Sequence, residues 1–116
     1  MTQRFITLDQ RAQLLANAQA YAAGHLRDPE PVARLFTPDA HATWLLATLD
    51  PKDGDTAWGL IDIGIGMPEL GTVKLSDLAE IVGPQNRPVL RDLYFRATRP
   101  LSEYVRLAQL DGSIPD

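Results

Sequence analysis

The sequence contains no cysteine. Disulfides and thiolate zinc sites are therefore excluded, and the chain suits a reducing compartment. Histidine is almost as scarce. His25 and His41 are the only two, and neither stands in an H-x-x-x-H or H-E-x-x-H context that would point to zinc. Serine is limited to Ser76, Ser102 and Ser113, none of them in the G-x-S-x-G elbow of a covalent hydrolase. No apolar run approaches the roughly 18 residues of a membrane span. The opening M-T-Q-R-F-I-T-L-D-Q holds no apolar stretch of signal-peptide length. These absences lead us to expect a cytoplasmic protein without cofactor, metal or membrane contact, and with no catalytic residues to assign.

What is present is an ordinary globular composition. The chain has 116 residues, 45% apolar and 22% charged, which reads as one domain over 1–116 with a modest core. The ordered core is expected over 7–110, with 111–116 a frayed tail. The net charge of −4 is unevenly spread. Residues 38–83 carry eight acids against Lys52 and Lys74, whereas 84–106 carry five arginines against Asp92 and Glu103. Such segregation fits two solvated faces of one fold, or an arginine-bearing surface for phosphate or an acidic partner.

Thr7 to Ala23 reads as a first helix, with Thr7 and Gln10 forming a capping box. Leu8, Ala12, Leu15 and Ala22 would form its apolar stripe. Pro31 would open a short helical turn through Phe36. Ala42–Leu49 and Thr56–Ile63 read as strands around the turn Asp50-Pro-Lys-Asp-Gly-Asp55, where Asp53-Gly54 supplies a pair that tolerates positive φ. Alternation puts Trp44 and Leu46 on one face, Leu45 and Leu49 on the other. Gly71–Leu75 reads as a third strand, joined to the second by a glycine-punctuated bend. Ser76 would cap a helix to Val82, Val89–Phe95 would be a fourth strand, and Pro100 would open a last helix to Leu110. The expected fold is α+β, a small single domain with a mainly antiparallel sheet of about four strands and flanking helices, in the order α-α-β-β-β-α-β-α.

Several chemistries can be set against these elements. Asp50, Asp53 and Asp55 lack the ligand spacing and distal glutamate of a calcium loop. The bend Gly64-Ile-Gly-Met-Pro-Glu-Leu-Gly71 is followed by a strand, not by the helix N-terminus a phosphate loop needs. Asp62 and Asp92 sit inside apolar strands, where a carboxylate must find partners. With Glu69 they would form a magnesium or acid–base site if the strands were neighbours; equally they would pair with Arg91, Arg96 or Lys74. Trp44, Trp58, Tyr94 and Phe95 are either core or a stacking platform. The candidate binding residues are Trp58, Asp62, Glu69, Arg91, Asp92 and Arg96.

The blocks A-T-W-L-L, D-P-K-D-G-D-T-A-W-G-L, D-I-G and P-E-L-G with L-S-D-L, preceded by R-L-F-T-P and followed by R-D-L-Y-F and P-L-S-E-Y, cover most of Pro31 to Tyr104. In this order they resemble the bacterial family known as domain of unknown function 2958. The resemblance implies an accessory role on plasmids or other mobile elements and brings no catalytic residues with it. The expected function is a non-catalytic binding module with a protein partner, a homodimer being possible. The alternatives are a metal-dependent hydrolase or nuclease using Asp62, Glu69 and Asp92, and a nucleic-acid-binding accessory using Arg87, Arg91, Arg96 and Arg99.

Overall fold

The capping box forms as the sequence requires. The Thr7 hydroxyl accepts the Gln10 N–H at 3.0 Å, and the Gln10 side chain accepts the Thr7 N–H at 2.9 Å. From there the computed structural model, which describes residues 6–114, runs α1 (Leu8–Ala22), β1 (Ala33–Phe36), β2 (Thr43–Leu49), β3 (Thr56–Asp62), β4 (Glu69–Lys74), α2 (Leu75–Leu78), β5 (Leu90–Arg91) and α3 (Leu101–Asp111). The strands form one antiparallel sheet in the order β4-β3-β2-β1-β5. The α+β class holds, with five strands in place of four.

The extra strand is the segment expected to be a helical turn after Pro31. Ala33 and Leu35 are buried and alternate with the half-buried Arg34 and Phe36. That period of two is hidden in a four-residue strand, which gains its stability from pairing on both sides rather than from propensity. The expected strand 89–95 shrinks to Leu90–Arg91. Asp92 still donates its N–H to the Arg34 carbonyl (2.8 Å), but its carboxylate then accepts the Tyr94 N–H (2.9 Å) and turns the chain away. Tyr94, 88% exposed, thus lies outside any strand platform. The third expected strand starts earlier, at Glu69. Nor does Ser76 cap the next helix. Asp55, from the β2–β3 turn, accepts both the Ser76 N–H (2.9 Å) and its hydroxyl (2.6 Å). The helix ends after one turn and continues as i→i+3 turns through Ile81.

Along β2, Trp44 and Leu46 join one buried cluster with Leu14 of α1, Leu35 of β1 and Leu75 and Leu78 of α2. Leu45 and Ala47 join a second, with Leu60 and with Leu101 and Ala108 of α3. The alternation then breaks. Leu46 pairs with Gly59 and Thr48 with Trp58, so Ala47 is one residue too many. This bulge returns Leu49 to the Trp44 side, not the Leu45 side that strict alternation predicts. It also frees the Ala47 carbonyl, which accepts a hydrogen bond from Asn17 Nδ2 at 3.0 Å; Gln13 Nε2 in turn donates to Asn17 Oδ1 at 2.8 Å. The inward face of α1 is therefore Leu14 and Asn17. Leu8, expected inward, is 84% exposed; a polar core residue disguised the stripe.

The C-terminal segment also differs from expectation. Gly112, at φ 78°, ends α3 in the left-handed conformation, and Ile114 is buried in the second cluster. The chain is docked as far as 114, and residues 115 and 116 of the expected frayed tail lie outside the described residues.

Candidate functional site

The β3–β4 connection shows how a bend can be held firmly while presenting apolar side chains to water. Asp62 closes β3 and is buried. Its Oδ1 accepts the Gly64 N–H at 2.8 Å and its Oδ2 accepts the Ile114 N–H at 2.9 Å. One carboxylate thus ties the bend to the C-terminal segment. Gly64 has φ 85°, and a Cβ there would lie 3.0 Å from the His41 carbonyl oxygen, so a side chain would be strained and would crowd the His41 backbone. Pro68 is buried, and its carbonyl accepts from Gln109 Nε2 at 3.3 Å. Between these anchors Ile63, Ile65 and Met67 are 60%, 65% and 69% exposed.

The bend leads into β4, an edge strand. Its six residues pair with β3 in unbroken register from Glu69 opposite Ile61 to Lys74 opposite Thr56. Among the described residues, no backbone group outside β3 hydrogen-bonds β4. The other edge is managed differently, since β5 has two paired residues and is ended by the Asp92 turn. Leu70 and Thr72 are exposed on β4, and Gly71 and Val73 half-buried.

The sequence-predicted site residues do not converge. Glu69 shares a face with its partner Ile61, and side chains alternate, so it lies on the opposite face from Asp62. Asp92 follows β5, three strand spacings from β3, or about 14 Å, and its Oδ2 pairs with Arg34 Nη1 at 3.2 Å. Among the described residues, no group of three or more His, Cys, Asp or Glu is placed to hold a metal ion. Trp58 packs against the second cluster, its ring centroid 6.0 Å from that of Tyr21. Arg91 is on β5, four spacings or about 19 Å from β4. Arg96 lines a different place, an open cavity of about 610 Å³ beside Gln13, Asn17 and Glu30. Of the other arginines, Arg99 stacks 5.4 Å over the Tyr104 ring and Arg106 pairs with Glu103.

What the sequence reading missed is the exposure of Ile63, Ile65 and Met67 and the anchoring by Gln109 and Ile114. The pattern I-G-I-G-M held a usable signal: each apolar residue is followed or preceded by a glycine able to turn the backbone outward.

A comparison with protein families matches residues 5–115 to the family described as "Protein of unknown function (DUF2958)". The chain belongs to this family. No curated protein and no solved structure gave a match. Several blocks that carry the DUF2958 likeness have structural work in the fold. In D-P-K-D-G-D, Asp53 accepts the Asp55 and Thr56 N–H groups and the Thr56 hydroxyl. The Thr56 bonds first, then that from Asp55, hold its carboxyl at about 2, below the ordinary 3.8. In P-L-S-E-Y, Ser102 donates its N–H and hydroxyl to Asp28, and the Tyr104 hydroxyl accepts the Thr98 N–H.

Proposed function

We propose that this chain is a non-catalytic protein-interaction module whose binding surface is the β4 edge with the adjoining 63–68 bend. The observation that carries this is the contrast between its two sheet edges. Proteins guard edge strands by shortening them, bulging them or placing proline or charge in them, because a bare edge templates another strand. Here β5 is short and quickly turned away, whereas β4 is long, regular and free of proline, with charge only at its ends, Glu69 and Lys74. Strand addition gives affinity through main-chain hydrogen bonds and specificity through alternate side chains. The exposed Ile63, Ile65 and Met67 add apolar area beside the edge. The occupant in this reading is an extended protein segment lying beside β4 as a sixth strand.

The wider setting is part of the same proposal: a cytoplasmic accessory protein of a bacterial mobile element. It is supported by the cysteine-free composition and by the family resemblance. Among the described residues no helix is long and apolar enough to cross a membrane.

Successive N–H groups in a strand point to alternate sides. One of Thr72→Pro and Val73→Pro therefore removes an outward N–H and leaves the β3 ladder intact. A displayed library of extended peptides should enrich β-prone, alternately apolar sequences on the wild-type chain. The folded proline variant should lose them, as should Ile65→Asp with Met67→Asp. Equal enrichment on wild type and variants would remove this surface as the binding site, as would no enrichment on a wild type that is monomeric.

A further inference from the structure

We infer that the strand occupying the β4 edge is β4 of a second copy of this chain, giving a two-fold dimer with a continuous ten-stranded sheet. The inference rests on the strand-addition reading and names its partner.

Symmetry limits how this can happen. Two identical antiparallel edges meet about a two-fold axis normal to the sheet. That operation keeps each side chain on its own face, so only residues of the same face stand opposite one another. Two registers do this while pairing five residues of β4. With Gly71 on the axis, Glu69 faces Val73 of the other copy and Leu70 faces Thr72. With Thr72 on the axis, Leu70 faces Lys74 and Gly71 faces Val73. Neither register places two like charges opposite each other, because Glu69 meets its own copy only with 69 on the axis and Lys74 only with 74 on it. The strand therefore lacks the repulsive charge by which edges are kept from self-pairing. It also lacks the bulge and the internal proline.

The flanking apolar area points the same way. A stable interface covers about 800 Å² per partner, more than a five-residue strand pair supplies. Antiparallel pairing carries the bend of each copy past the end of β4 toward the start of α2 in the other. In this dimer Ile63, Ile65 and Met67, each more than half exposed, would supply the remaining area at both ends, beside the exposed Ser76 and Asp77 of the other copy. Strand pairing and apolar burial thus reinforce each other in one arrangement.

The absence of cysteine makes the test direct. Opposed residues on an antiparallel axis have Cα atoms about 4.5–5.5 Å apart, within disulfide range. Under mild oxidation one of the single-cysteine variants Gly71→Cys and Thr72→Cys should form a covalent dimer rapidly. Leu8→Cys, exposed on α1, should not. Light scattering on the wild type should give twice 12.8 kDa at micromolar concentration, and the folded proline variant should give the single mass. A wild type that stays monomeric to millimolar concentration, yet still captures peptides through β4, would overturn the second copy and leave strand addition standing. Loss of both would remove both. A dimer that persists in the folded proline variant, or cross-links no faster at 71 and 72 than at 8, would place the interface elsewhere and overturn the inference.

Discussion

Removing the Asp62 carboxylate should detach the C-terminal segment and destabilise the whole domain. Asp62 makes two bonds from a charged acceptor to backbone N–H groups, at 2.8 and 2.9 Å. A hydrogen bond to a charged group contributes about 1.5–3 kcal/mol. The two losses are unequal. Water can replace the acceptor at Gly64 in the exposed bend, whereas the Ile114 N–H lies in a buried setting and would remain without a partner. Part of the loss is offset, because Ala no longer requires a carboxylate to be desolvated. We expect Asp62→Ala to cost about 2–4 kcal/mol. At about 4 °C per kcal/mol for a domain of this size, the melting temperature should fall by about 8–16 °C. Asp62→Asn keeps one acceptor oxygen and should cost about half as much. Urea denaturation gives the energies, and amide exchange at Ile114 reports the tail. Because Ile114 docks through the same bond and its own burial, Asp62→Ala and Ile114→Ala should together cost less than the sum of the two. A fall below about 2 °C in Asp62→Ala, or unchanged exchange at Ile114, would refute the clamp.

Three further outcomes follow from particular contacts. Asn17→Ala leaves the Ala47 bulge carbonyl without its donor and should cost about 1–3 kcal/mol in urea denaturation; Asn17→Leu should not recover it. Gly59→Ala places a Cβ 1.8 Å from the Leu45 carbonyl oxygen and should cost about 3 kcal/mol or more. Gly24→Ala meets nothing within 4 Å and is strained only by its φ of 78°, so it should cost about 1–2 kcal/mol; equal melting temperatures for the two would contradict the close approach. Asp53, held at about 2, binds fewer protons folded than unfolded. Its stabilisation is complete above the unfolded value and is lost as pH falls from about 4 to about 2. A carboxyl titration followed by NMR should show that low midpoint, and a value near 4 would mean that the turn bonds do not persist in solution.

The legible parts of this fold were those specified locally. The capping box of α1, the Asp53-Gly54 turn and the opening of α3 at Pro100 each depend on residues a few positions apart. The parts that were hidden depend on distant partners. β1 is a strand because β2 and β5 lie on either side of it. Asn17 is inward because a bulge thirty residues away frees a carbonyl. The α2 cap comes from Asp55, 21 residues earlier, and the tail is ordered by Asp62, 52 residues before Ile114. The candidate site divided in the same way. The bend and its glycines were visible, but separating Asp62 from Asp92 needed the strand order, which no local pattern contains.

Five of the eight acids of the 38–83 segment are engaged by backbone, and this bears on how a partner binds. Asp39, Asp50, Asp53, Asp55 and Asp62 each accept a backbone N–H. A short carboxylate reaches a neighbouring backbone readily, which is why aspartate collects at turns and caps. Glu69, Asp77 and Glu80 are exposed. Most of the local negative charge is thus explained by turn chemistry, and two of the five opposing arginines are engaged with Tyr104 and Glu103. The proposed surface itself is largely uncharged: main-chain groups of β4 and the apolar bend. Association through them should therefore depend little on salt. Raising ionic strength from low to molar, where the screening length shrinks to about 3 Å, should weaken self-association or peptide capture by less than about threefold. The Glu69→Ala variant should change the salt response even less than the affinity. A steep loss with salt would show that charge governs the encounter, and would move the binding surface from β4 to the arginine-bearing 84–106 segment.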